Sequence, residues 1–343
     1  MIESRFFVFW QSTSLMRVLA AASSLRSRWV FVAALVIFSG CGLRTLIQGE
    51  FYLNQEKCSE GAKHFHEVLQ RNPSDPDTNY YMGRCLLSLS RPHEARPYLE
   101  RATSLSPNRA QYHFWLGVCY HELKRPKMER ASYLRAVQLD RHHIQSHLFL
   151  GHNYLEDGRW KEALGAYGRV LRFQPDHPQA LYNRGLALNR LRRYPEEIAA
   201  WKEYLRSYPE GKWAIQAVDH LNARGNFDYR NFTIGYRRVP LEQIRFKSST
   251  TTLQQGAKPS LEVIGSILRI NKKIHLAIIG YKKGDEKLAK SRAKSIRTYL
   301  TSNFPTIAGG RLTSRGAGGP ERISIGSRIF MFDESINFVT IKR

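Results

Sequence analysis

Apolar positions along residues 42–211 fall in short amphipathic stretches of helical spacing, and the whole pattern repeats. Gly49, Gly83, Gly117, Gly151 and Gly185 are spaced by 34 residues without an insertion. Pro73, Pro107, Pro175 and Pro209 keep the same period, with Arg141 in the missing slot. Tyr52, Leu86, Tyr120, Tyr154 and Leu188 recur in register, as do Phe65, Leu99, Tyr133, Tyr167 and Trp201. The pattern predicts two helices per repeat. A small residue lets the first helix approach the second, an aromatic or leucine fills the gap, and a proline stops the second helix. One such unit cannot bury its apolar face alone, so the units must stack and their ends need caps. Residues 212–224 carry Trp213, Ile215, Val218 and Leu221 at helical spacing before Gly225, and read as a C-terminal capping helix.

A 34-residue period with these residue types resembles the tetratricopeptide repeat family over residues 42–211. The resemblance implies an all-α superhelix of five repeats whose first helices line a groove for a protein partner. The fifth position of each repeat holds Leu46, Tyr80, Phe114, Leu148 and Tyr182; the ninth holds Glu50, Arg84, Val118, His152 and Leu186. An apolar ladder of this kind suits an apolar peptide segment or helix, with Tyr80, Arg84, Phe114, Leu148, His152 and Tyr182 as candidate contacts. The opposing reading is that these side chains cover the core or meet the chain's own C-terminal domain.

Residues 225–240 carry Gly225, Gly235 and Pro240 without a clear period, and read as a linker. From 241 to 343 the pattern is a coarse βαβαββ: Gln243–Phe246 as a strand, a helix near 257–270, a buried-type strand His275–Ile279, and a basic helix near 285–302. A strand at Arg311–Arg315 and strand-like runs at Arg322–Phe332 and Asn337–Lys342 complete it. Ile278-Ile279-Gly280-Tyr281, Leu288–Ala293 with Tyr299-Leu300, and Gly316-Ala317-Gly318 follow in an order that resembles the OmpA-like, peptidoglycan-associated domain, a small α/β fold. That family grips the diaminopimelate of peptidoglycan with an Asp and an Arg, the Arg fork matching a carboxylate. Arg292 stands at the family Arg, whereas Lys283 occupies the Asp position and the family's paired arginines have no counterpart near Ser335–Asn337. The resemblance therefore leaves two readings. Arg292 with Lys283 and Lys287 binds an anionic wall or lipid group in a changed mode, or the pocket is vestigial and the domain makes protein contacts.

Ahead of the repeats, Arg26 and Arg28 precede the apolar run Trp29–Phe38, followed by Ser39-Gly40-Cys41. A basic stretch, a short apolar run and small residues read as a secretory leader over residues 1–41. The run is short of the roughly 20 apolar residues that a membrane-spanning helix needs. Phe38–Cys41 resembles a bacterial lipobox, apart from Phe38 where Leu is usual; the resemblance implies a lipid on Cys41. It would place the chain on the periplasmic side of the outer membrane, or alternatively on the inner membrane.

The charge adds a constraint. The chain has 53 Lys+Arg against 29 Asp+Glu, a formal net charge of +24. From Leu241 onward 19 Lys+Arg against 7 Asp+Glu leave +12. Such an excess favours an anionic partner, whether wall polymer, lipid or nucleic acid, and the secretory leader argues against nucleic acid. Cys41, Cys58, Cys85 and Cys119 contain no CxxC and suggest no zinc site. His142, His143, His147 and His152 cluster, but His147 lies one period after His113 and no carboxylate completes a metal set. No nucleophile elbow, phosphate loop or HExxH is present, and no cofactor is expected. The sequence thus points to a non-enzymatic cell-envelope adaptor, with a basic anionic-polymer or nucleic-acid binder, or a purely structural protein with a vestigial pocket, as alternatives.

Overall fold

The computed structural model describes residues 41–341. The leader up to Gly40 lies outside them, and Cys41 enters through its backbone alone, as the first residue of the first helix. The helices are α1 (Cys41–Asn54), α2 (Cys58–Arg71), α3 (Pro76–Ser88), α4 (Pro92–Leu105), α5 (Ala110–Glu122), α6 (Pro126–Leu139), α7 (Ile144–Glu156), α8 (Trp160–Phe173), α9 (Pro178–Arg190), α10 (Tyr194–Ser207) and α11 (Gly211–Ala223). Each of the first five helix pairs falls on one 34-residue period, and α11 is the cap. The chain forms two compact units that divide between Glu129 and Arg130, within α6.

In the first unit, Phe65, Tyr81, Cys85, Leu86, Leu99 and Cys119 pack into one core. Asp75 caps α3 by accepting from the Thr78 N–H at 2.7 Å, and Pro76 follows in the first turn, where its missing donor costs nothing. Gly83 lets α3 and α4 close: a Cβ there would lie 2.5 Å from Leu99 Cγ. Cys58, Cys85 and Cys119 are buried free thiols.

In the second unit the same logic uses aromatics. A Cβ on Gly151 would meet the Tyr167 ring at 2.5 Å, and one on Gly185 the Trp201 ring at 2.7 Å. Tyr167, Leu181, Trp201, Leu205, Val218 and Leu221 form the helical core, the last two from α11.

The C-terminal part follows in the same unit: β1 (Tyr229–Ile234), β2 (Arg237–Glu242), α12 (Ala257–Ile270), β3 (His275–Lys282), α13 (Glu286–Asn303), β4 (Leu312–Ala317), β5 (Glu321–Ile325), β6 (Arg328–Phe332) and β7 (Glu334–Ile341). The central sheet has order β4-β3-β7, with β3 and β4 parallel and β3 and β7 antiparallel. The expected linker 225–240 is corrected: it contains the β1–β2 hairpin, and Phe232, Ile234 and Val239 sit in the same core as Ile278, Ile296 and Phe338. Gly235, at φ +65°, begins the two-residue turn, where the left-handed backbone suits glycine. Two further elements differ from expectation. Gln243–Phe246 is no strand and makes only the isolated bridge Phe246↔Leu253. Arg322–Phe332 is two strands, β5 and β6, paired as a hairpin around Gly326.

Candidate functional site

The repeat positions proposed as groove contacts are largely covered. Tyr80 is 4% exposed and stacks on Tyr112 with ring centres 4.8 Å apart. Arg84 is half-buried; its guanidinium lies 4.4 Å over Trp115 and its Nη1 donates to Glu50 Oε1 at 3.3 Å and to the Tyr80 hydroxyl at 3.2 Å. Phe114 is buried edge-on against Trp115. In the second unit, Leu148 is part of the core, and Tyr182 stacks on Trp213 of α11 while its hydroxyl donates to Gln216. His152 is half-buried beside Phe149 and Tyr167. Tyr80, Phe114, Leu148 and Tyr182 are therefore buried and not an exposed ladder, whereas Leu46, the fifth-position residue of the first repeat, is 45% exposed. The clustered histidines do structural work: His143 Nδ1 accepts from Ser146 N–H at the start of α7, and His147 pairs with the Arg141 carbonyl.

The C-terminal domain holds the site. Asp285 caps α13 by accepting from the Leu288 N–H at 2.8 Å. The helix buries Ala289, Arg292, Ala293, Ile296 and Leu300, which recur at the three- and four-residue spacing of one face, so Arg292 is carried inward with the apolar residues. Two glycines, paired across β3 and β4, let that face come down on the sheet. A Cβ on Gly280 would strike the Ala289 carbonyl at 2.1 Å, and one on Gly316 the Glu286 carbonyl at 2.6 Å.

That descent places the Arg292 guanidinium, 5% exposed, in the wall of a cavity of about 140 Å3 lined also by Gln243, Phe246, Gln254, Glu334 and Ser335. Its Nε donates to the Thr250 carbonyl at 2.9 Å, its Nη1 donates to Glu334 Oε2 at 2.9 Å, and it lies 4.9 Å over the Phe246 ring. Lys282 Nζ reaches the same Glu334 oxygen at 3.1 Å. The Arg292 hydrogen bond, then that from Lys282, holds the Glu334 carboxyl below the usual carboxylate range. An arginine fixed by a carbonyl and an aromatic face, with a carboxylate on one arm, is a recognition element for carboxylates.

Arg292 is thus in the cavity, whereas Lys283 and Lys287 are not among its lining residues. Lys283 is exposed with its Nζ 3.7 Å from Asp333, and Lys287 is exposed on the first turn of α13. Sequence reasoning missed Glu334, Lys282 and Thr250. Nothing in their local pattern marks them, since their partnership with Arg292 is made across separate strands and loops. It also missed Glu321, which is 3% exposed, takes a two-pronged contact from Arg230 at 2.7 and 2.9 Å, and accepts from the Ser335 hydroxyl at 2.6 Å.

Comparison with known proteins agrees with this anatomy. Residues 82–143 and 150–212 match the tetratricopeptide repeat family, and residues 245–328 match the OmpA family. The chain therefore carries tetratricopeptide-type repeats followed by an OmpA-type domain. Similar solved structures include MamA, at 19% identity and TM-score 0.44, over 46% of this chain and 93% of that one. YrrB, described as a TPR protein with an unusual peptide-binding site, is 18% identical at TM-score 0.46, over 55% of this chain and 96% of that one. PilW, described as a widely conserved type IV pilus biogenesis factor, is 16% identical at TM-score 0.48, over 55% of this chain and 88% of that one. No curated protein matches the chain by sequence.

Proposed function

We propose that this chain is a non-enzymatic cell-envelope adaptor: its C-terminal cavity takes an acidic group of the cell wall, and its repeats hold a protein partner. The observation that carries the wall contact is the Arg292 guanidinium, set in a cavity wall and already making a charge-assisted hydrogen bond to a carboxylate. The repeats recruit the partner through solvent-facing positions rather than through the buried ladder. Of the residues first named for that role, Arg84 and His152 retain partial exposure. Tethering through a lipid on Cys41 would hold the adaptor against the outer membrane, facing the wall. A Cys41→Ala chain that is processed and localised like the parent would remove the tether from this reading.

Two readouts test the wall contact. The full chain should be retained on isolated peptidoglycan at moderate salt, and Arg292→Ala should lose most of that retention. The rival, a generic binder of anionic polymers, draws on the exposed cations Lys287, Lys290 and Lys294 of α13. It predicts retention that falls steeply with salt and equally in both proteins. That second outcome would reassign the function to the basic surface.

A further inference from the structure

The Arg292 site is not open in this structure: the chain's own carboxylate already sits on it. Arg292 is fixed three ways, by Thr250, by Phe246 and by burial, and its side chain is only 5% exposed. Glu334 is held differently. Its backbone is locked at the start of β7, opposite Lys282 in the β3–β7 register, with the Lys283 N–H donating to the preceding Asp333 carbonyl at 2.7 Å. Its side chain is 56% exposed at the rim. One partner is therefore a rigid receptor and the other a movable group on a fixed stem.

We propose that Glu334 is a built-in competitor which fills the carboxylate position of Arg292, so that a ligand carboxylate enters the cavity only by displacing it. The inference rests on the wall-contact reading and deepens it by naming what regulates the site and limits its affinity. Displacement does not strand a buried charge. Arg292 passes from one carboxylate to another, and Glu334 swings toward solvent while keeping Lys282, whose Nζ already lies 3.1 Å away. The occupied form suppresses apparent affinity by the fraction of time the position is free. The domain would thus take a wall carboxylate weakly unless a neighbouring contact pulls Glu334 aside, which makes Glu334 the residue that sets the affinity threshold.

The test uses the full chain, soluble diaminopimelate as the carboxylate probe in calorimetry, and isolated peptidoglycan in a pull-down. If the free fraction is on the order of a tenth, Glu334→Gln should bind diaminopimelate about tenfold more tightly than wild type. Glu334→Asp, whose shorter side chain reaches Arg292 less well, should fall between them. Asp333→Asn removes the same negative charge next door, where Asp333 pairs with Lys283 instead of Arg292, and should leave affinity unchanged. Adding Arg292→Ala to Glu334→Gln should abolish the gain.

Equal affinity in wild type and Glu334→Gln, a gain that Asp333→Asn reproduces, or no binding of the probe by any variant would each overturn the proposal. A gain with diaminopimelate but no retention of any form on peptidoglycan would leave the competitor standing and remove the wall as its ligand.

Discussion

Single residues decide how closely the helices of each repeat approach. Gly151 sits under the Tyr167 ring, where a Cβ would come within 2.5 Å, and Tyr167 is fully buried with no room to retreat. Gly151→Ala should therefore cost about 1–3 kcal/mol through overpacking. Gly168→Ala is the matched contrast. It is also a helical glycine, but a Cβ there meets nothing within 4 Å, so the change should stabilise by about 1 kcal/mol through helix propensity. Urea denaturation of the two variants checks both signs, and similar shifts would mean that the close approach is not what the glycine serves. Gly151 was legible in the sequence because its constraint recurs every 34 residues. The fifth-position ladder was misread because an aromatic on a first helix looks the same whether it faces a groove or the next helix. The Tyr80–Tyr112 and Tyr182–Trp213 stacks separate the two cases. Arg292 was legible from the residues around it, while Glu334 was not, since an acid at the start of a strand carries no periodic mark.

At the scale of the element, the helices differ in how they begin, and two of the caps titrate. Asp75, Arg109, His143 and His177 stand one period apart at the starts of α3, α5, α7 and α9. Asp75 caps with a carboxylate, whereas His143 and His177 cap by accepting backbone N–H groups at Nδ1, which requires that nitrogen to be unprotonated. Burial pushes both imidazoles below their ordinary value. The unfolded chain then binds protons more readily than the folded one. Stability from these caps is full above about pH 6.5 and is lost as pH falls through the lowered folded values. Replacing both with Asn keeps the acceptor without the titration, so the double variant should lose less stability between about pH 7 and pH 5 than wild type. His143→Ala should cost about 1 kcal/mol at neutral pH. Urea midpoints at the two pH values measure it, and an unchanged slope in the double variant would remove the caps as the source. The β1–β2 hairpin is the element that the sequence concealed. Its apolar alternation, Phe232 and Ile234 then Val239 and Leu241, was present, but Gly235 and Pro240 read as breakers. Gly235 is the turn itself, and Pro240 is tolerated because a two-stranded ribbon leaves one edge of β2 without a ladder to satisfy.

Across the second unit, that hairpin removes the free hinge a linker would have provided and ties the C-terminal domain to the capping helix. Asn231 of β1 donates to the Ile215 carbonyl and to Asp219 of α11, each at 2.9 Å, and Arg238 of β2 pairs with the same Asp219 at 2.5 Å. Asp228 holds Lys202 of α10 at 2.6 Å and Arg245 at 2.5 Å, and the Arg328 guanidinium donates to the Ala223 carbonyl at the end of α11. Phe227, 6% exposed, lies between Phe330 and Phe332 of β6, each 4.9 Å away in edge contact. The Asp219–Arg238 pair is half-exposed on both sides and is worth under about 1 kcal/mol. Losing a buried Phe costs about 3 kcal/mol or more. The aromatic contact, not the ion pairs, should therefore set whether α11 and the sheet open together. Hydrogen exchange reads this directly: in the wild-type chain the amides of α11 and of β3 should open with one common free energy, little altered by salt. In Phe227→Ala the amides of α11 should keep their protection while those of β5 and β6 open separately and more often. If the two regions already exchange independently in wild type, the junction is a loose contact, and the repeats would not fix the orientation of the Arg292 cavity.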